Sequence, residues 1–311
     1  MISATKNSGN ENGVAIVTVL LLTVLCLSIV TSLFWEQQVQ VRSIENQRLQ
    51  LQQHWILKGA LDWAKLILLE DAKFSTTDDL SEPWNTPLMD TRLDRYVKDS
   101  KVQSPAVNAV LSGVISDAQG KFNARRLASN GQVITEEVNI FARLLKQLKI
   151  SQKLASTIAK ELAKQQQQFV RSDKYISGQI GFETLSDFLA LKSFNAEILT
   201  ILENHVILLP KQTKTNVNTA SMEVIAAELD IPYTDARNVL AIRDNAIFLD
   251  TADFLNRIRQ VGVNANVKNI TVKTDFFLIT GTVKINQSLI RKKCLIQRSP
   301  QGVELVWLKD F

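Results

Sequence analysis

The sequence predicts an α+β protein: one long N-terminal helix on an antiparallel sheet, with a large α-helical domain inserted into that sheet. Three observations carry this. From Val14 to Glu82 there is no Pro and a single Gly, Gly59, so the usual helix breakers are nearly absent. Residues 276–308 alternate apolar and polar at period two, with short polar turns, which is the pattern of an antiparallel meander. Between that meander and an earlier strand near residue 108 lie roughly 145 residues of mostly helical pattern, too many for a structureless loop.

The chain begins with a polar leader, Met1 to Gly13, followed by 21 uncharged residues, Val14 to Phe34. That run matches a hydrocarbon core roughly 30 Å thick at 1.5 Å rise per helical residue. It is long for a secretory signal and lacks a small-x-small cleavage site after it, so a retained membrane anchor is expected. Lys6 and the terminal amine, partly offset by Glu11, favour a cytoplasmic N-terminus. The helix continues past the membrane. Val41, Ile44, Leu51, Trp55, Trp63 and Ile67 recur at helical intervals, with Gln47, Gln50, Gln53, Lys58 and Lys65 on the other face. Such a stripe packs on the chain's own domain or on a partner helix. Running to about Glu70, the helix would be about 85 Å long. Ser75–Asp79, then Pro83 and Pro87, end it.

Asn108 to Ser116 reads as a strand closed by the turn Asp117-Ala118-Gln119-Gly120. Strands Phe276–Ile285, Ser288–Gln297 and Val303–Leu308 follow much later. The helical stretch between contains a weak repeat, Leu144–Lys164 against Ile225–Asn245, at an offset of 81 residues. Each unit is helix, short turn, helix, with a similar tail at Phe182–Leu189 or Phe248–Leu255. Ser186 and Thr251 are the expected N-caps of the tail helices.

Composition excludes several chemistries. A net charge of +5 is too weak to argue for nucleic acid on its own. Two Cys and two His leave no zinc-finger spacing and no disulfide framework. Only His54 and His205 could act as a histidine base, and neither G-x-S-x-G nor H-E-x-x-H occurs, so no catalytic residue is assigned and an enzyme is not expected. The paired helical units resemble helix-hairpin-helix modules, which would suit a membrane-anchored DNA receptor. Their hairpins, Ile150–Lys153 and Ile231–Thr234, lack Gly, and Pro232 removes a donor, so no nucleic-acid partner is expected despite Lys146, Lys149 and Lys153.

Gly13 at the junction of a polar leader and an apolar helix is similar to a type IV prepilin-like signal, which is cut before the apolar segment. An uncleaved anchor in which Gly13 merely starts the helix is the alternative. The whole order includes Trp55 and Trp63 on the helix and Leu80-Ser81-Glu82-Pro83-Trp84. It continues through Ser116-Asp117-Ala118-Gln119-Gly120-Lys121-Phe122-Asn123 and Asn216-Val217-Asn218-Thr219-Ala220 to the closing meander. Together these resemble the minor pseudopilin K family of the type II secretion system (general secretion pathway protein K). A minor pilin of a type IV pilus would share the same processing and fold.

The resemblance implies a pilin-like fold divided as leader 1–13, membrane segment 14–34, periplasmic helix extension, loop and first strand 35–121, inserted helical domain 122–266 and closing strands 267–311. It implies cleavage between Gly13 and Val14 by prepilin peptidase and N-methylation of Val14. It also implies a single-pass protein in the inner membrane of a Gram-negative bacterium, with its C-terminal domain in the periplasm. There it would form the tip of the pseudopilus with minor pseudopilins I and J, above the major pseudopilin and the inner-membrane assembly platform. It would support export of folded proteins, with the secreted substrates or the outer-membrane channel as further contacts. Most pilins carry Glu at the fifth mature residue, where it neutralises a neighbour's terminal amine; here that position is Thr18, which suits a subunit with nothing above it. No cofactor is required. Calcium is known in the family's periplasmic part, but Asp78, Asp79 and Glu82 lack the ordered spacing of a calcium loop, so no metal ligand is assigned.

Overall fold

The computed structural model describes residues 11–93, 109–171, 181–263, 265 and 268–310. Most of the leader, Asn108 and the expected boundary at 266–267 lie outside the described residues. Helix α1 spans Glu11–Phe74, 64 residues without a break. Its first stretch is long and apolar enough to cross a membrane, with none of it buried against the rest of the chain. It stops four residues beyond the expected end, and the Ser75 N–H still closes a helical bond to the Asp71 carbonyl at 2.9 Å.

The sheet has five antiparallel strands in the order β1-β2-β9-β10-β11. These are β1 (Leu88–Arg92), β2 (Ala109–Asp117), β9 (Phe276–Ile285), β10 (Ser288–Ser299) and β11 (Gly302–Asp310). The period-two strands lie where the alternation puts them. Strand β1 has no counterpart in the sequence reading: Leu-Met-Asp-Thr-Arg is a short edge strand that does not alternate. Leu57, Ala64 and Leu68 of α1 pack on the sheet, with Trp84 edge-on to Phe277 at 5.2 Å between ring centroids.

The expected stripe, left open between the chain's own domain and a partner helix, lies mostly off the sheet. Val41, Ile44, Leu51, Trp55 and Trp63 face outward, whereas Gln53 is fully buried, its amide donating to the Ser288 carbonyl at 2.9 Å. The sheet-facing positions are filled by Leu and Ala at 57, 64 and 68, and the bulkier aromatics are left outside.

Between β2 and β9, neighbours in the sheet, the chain leaves to build the helical domain. Short ladders tie its neck: β3 (Phe122–Asn123) runs parallel to β6 (Val206–Ile207), and β7 (Thr215–Asn216) to β8 (Ile270–Thr271). A hairpin, β4 (Ala128–Ser129) and β5 (Gln132–Val133), precedes the helices. The helices are α2 (Thr135–Gln147), α3 (Lys153–Arg171), α4 (Ala196–Leu202), α5 (Met222–Leu229), α6 (Tyr233–Asn245) and α7 (Thr251–Gln260). They enclose a separate core in which Phe122 stacks on Phe141 and Phe248 meets Phe254 edge-on.

The 81-residue repeat is structural. Lys149 and Asp230, 81 positions apart, both take left-handed backbone at the helix C-termini, at φ 60° and 55°. The expected tail caps are displaced. Thr184 and Asp250 are the N-caps, and Asp187 and Asp253 bond back to the preceding backbone N–H groups. Ser186 and Thr251 lie one or two residues inside.

Candidate functional site

Two regions bear on function: the exposed start of α1, and the polar joint between sheet and helical domain. Gly13 lies in the first turns of α1. A Cβ built there meets nothing within 4 Å, and the backbone is not left-handed, so the fold of this chain does not require glycine at 13. Val14 is 63 % exposed. Thr18 Oγ1 donates to the carbonyls of Ala15 (2.9 Å) and Val14 (3.1 Å), so it is satisfied within its own helix and carries no charge.

At the joint, the two motif segments meet. Asp117 is buried, and its Oδ2 accepts from Asn216 Nδ2 (2.8 Å), Thr219 Oγ1 (2.5 Å) and Thr274 Oγ1 (2.7 Å). Its Oδ1 accepts the Gln119 N–H at 2.6 Å, closing the turn after β2. Asn216 also donates to the Asp78 carbonyl (2.9 Å), tying in the loop after α1. Asn218 exchanges two bonds of 2.9 Å with the Phe248 backbone, and Asn123 accepts the N–H groups of Arg125 (3.0 Å) and Leu209 (3.2 Å). Gly120 is needed here: a Cβ would stand 2.7 Å from Thr219 Oγ1 and 3.1 Å from its carbonyl. The motif residues therefore spend their polar atoms on backbone and on one another. They fix the helical domain to the sheet.

Burial pushes the Asp117 carboxyl up, against the hydrogen bonds from Thr219 and Thr274. Burial likewise pushes Asp78 up to about 6, opposed by Arg298. Arg298, on β10, bonds Asp71 Oδ2 at 3.0 Å and also Asp78 Oδ1. Sequence patterning missed Asp71, Thr274 and Arg298, because they come from three distant elements and share no motif.

Asp71, Asp78 and Glu82 form one acidic cluster, with an oxygen of each within 4.8 Å of the others. Asp79, expected beside them, turns away to accept the N–H and hydroxyl of Ser81. The cluster does not fit a calcium ion as it stands. Arg298 already occupies one oxygen each of Asp71 and Asp78. Asp78 Oδ2 holds the Thr274 N–H (2.7 Å), and Glu82 Oε2 holds Trp84 Nε1 (2.6 Å), whereas calcium takes six to eight oxygens.

The residues considered for catalysis do not converge. His54 is exposed on α1 beside Trp55. His205 Nδ1 lies 3.1 Å from Ser221 Oγ and 3.7 Å from Glu223, so base and orienting groups share one nitrogen, and Ser221 is occupied as the N-cap of α5. Cys294 is buried, which pushes its thiol up to about 11 and leaves it unreactive. In the helix-hairpin-helix turns, the N–H groups of Ile150 (2.8 Å) and Ile231 (3.2 Å) close back on Leu145 and Ala226, and are spent on capping.

The family description "Type II secretion system (T2SS), protein K" matches residues 120–211 and, by a second one of that name, 215–273. Type II secretion system protein K of Pseudomonas aeruginosa is 26 % identical over 97 % of this chain and 93 % of its own length. The fold matches a chain in the crystal structure of the GspK-GspI-GspJ complex from the enterotoxigenic Escherichia coli type 2 secretion system. The TM-score is 0.64 at 18 % identity, over 86 % of this chain and 98 % of that one. The two family matches meet at the joint, and the relative spans anchor, sheet and insertion alike: the chain belongs to the protein K family of the type II secretion system, the minor pseudopilin K.

Proposed function

We propose that this minor pseudopilin forms the tip of the periplasmic pseudopilus together with minor pseudopilins I and J, and so supports export of folded proteins across the outer membrane. The observation that carries the reading is the outward apolar row of α1. Where α1 packs on the sheet, Leu51, Trp55, Trp63 and Leu66 on its far side are more than half exposed, and before it Trp35, Val39, Val41 and Ile44 stand exposed on a stretch that packs on nothing else in the chain; helices of other subunits would cover this apolar surface. The GspK-GspI-GspJ structure supports the choice of partners.

In this reading prepilin peptidase cuts between Gly13 and Val14, and Val14 is N-methylated. Glycine at 13 has no role in the fold, which is in keeping with a role in processing. Thr18 supplies no carboxylate to a neighbour's amine, so the subunit has no means of registering beneath another in lipid. The helical domain adds bulk that suits the end of a fibre better than its body. The protein would lie in the inner membrane, N-terminus inside, with the major pseudopilin and assembly platform below. Catalysis and a cofactor have no part in it.

The test is co-expression of the full chain with its own system's pseudopilins I and J, followed by detergent extraction and light scattering of the purified species. One complex containing all three is expected. A chain that migrates apart from both would contradict the reading.

A further inference from the structure

A pocket of about 290 Å³ lies between the 185–190 turn of the helical domain and strands β10 and β11. Its polar wall is unusual in sign. Lys293 and Lys309 stand directly opposite each other on β10 and β11, so both ammonium groups leave the same face, an arrangement that repels. Lys121 lines the same pocket, and desolvation, followed by the charge of Lys293, pushes its ammonium down to about 8. Lys121 Nζ reaches the Glu203 carbonyl (2.5 Å), and Lys309 Nζ reaches Thr184 Oγ1 (3.1 Å). The Lys293 ammonium has no ion pair or hydrogen bond among the described residues. Trp307, also in the wall, holds a buried indole N–H with no acceptor.

Two carboxylates border the pocket. Asp310 pairs with Lys292 at 3.0 Å, which leaves Glu203 against three lysines. The rest of the wall is apolar, including Leu185, Val206 and Leu278. Repelling cations and an unsatisfied donor beside apolar surface ask for a ligand with an anionic oxygen end and a hydrocarbon stem. Inorganic phosphate has no carbon stem and would leave the apolar wall bare.

We propose that this pocket binds a carboxylate, brought either as an acidic side chain of another polypeptide or as a free organic acid. The probes are citrate and a hexaglutamate peptide, titrated calorimetrically into the full chain in non-ionic detergent. The buffer is near neutral pH with roughly 50 mM salt, so that screening stays modest. Binding of at least one probe is expected. Lys293→Gln and Lys309→Gln should each weaken it about tenfold, and Lys268→Gln, whose charge is paired to Glu136 outside the pocket, should leave it unchanged. Binding of citrate alone supports a free acid as the source, and binding of hexaglutamate alone supports a polypeptide. The proposal is overturned if neither probe binds. It is also overturned if Lys268→Gln weakens binding as much as the other two, or if inorganic phosphate binds as tightly.

Discussion

Asn216 shows how much one side chain can hold together in this molecule. It is fully buried and joins the loop after α1, the turn after β2 and its own segment in one set of bonds. Replacing it with Ala strands a buried carboxylate and a carbonyl, so Asn216→Ala should cost about 2–3 kcal/mol, read as a fall in denaturation midpoint. The same joint sets a pH dependence. Asp78 titrates in the folded protein at about 6, above its ordinary value, so between the two values the folded state holds a proton the unfolded chain has lost. Its contribution is therefore full below about pH 4 and is lost as the pH rises through about 6, on the order of 2–3 kcal/mol at about 1.4 kcal/mol per unit. Asp71, Glu82, Asp117 and Glu137 shift in the same direction, and His205, pushed down by burial, opposes them in this range. Thermal unfolding from about pH 4 to 7 should show this decline, and Asp78→Asn should flatten it. The motif residues of the joint were visible in the sequence as two unusual segments. Their purpose was not, because it depends on Thr274 and Arg298, which reach them only through the fold.

At the level of elements, the caps and the insertion are the informative cases. Asp250 caps α7 by accepting the Asp253 N–H at 2.8 Å, so Asp250→Ala should cost about 1 kcal/mol, measurable as a lower unfolding temperature. The sequence reading put the caps at Ser186 and Thr251 because Ser and Thr are favoured there. The structure uses Thr184 and Asp250; Asp187 accepts the Thr184 N–H in return and Asp253 accepts the N–H of Leu249, pairings that residue preference alone does not reveal. The long strands were legible because one face of each is buried, which imposes period two. Strand β1 was not, since an edge strand of five residues with mixed burial carries no such period. The repeat was legible down to its offset because both units bury a similar apolar helical pattern in one core; their shared left-handed helix ends at Lys149 and Asp230 appear only in the structure.

For the whole molecule, the separation between what α1 does for its own fold and what it presents outward is central. Its sheet-facing side is built from Leu57, Ala64 and Leu68, and its outward side from aromatics and branched residues that touch little of the chain. Periodicity detects both rows as apolar and cannot say which one faces the sheet; the larger residues drew the reading to the outward row. A substitution on that row should therefore separate stability from assembly. Trp55 is 63 % exposed, so Trp55→Asp should leave the unfolding temperature of the isolated chain within about 2 °C of the unchanged protein, as surface changes usually do. The same change should lower recovery of the complex with pseudopilins I and J. Loss of both together would assign Trp55 to the fold instead.

In the proposed function, processing at the N-terminus decides whether α1 can enter a fibre at all. The direct measurement is the intact mass and N-terminal sequence of the protein extracted from membranes of cells with and without prepilin peptidase. A chain beginning at a methylated Val14, found only when the peptidase is present, is the predicted result. A chain beginning at Met1 in both samples would contradict it.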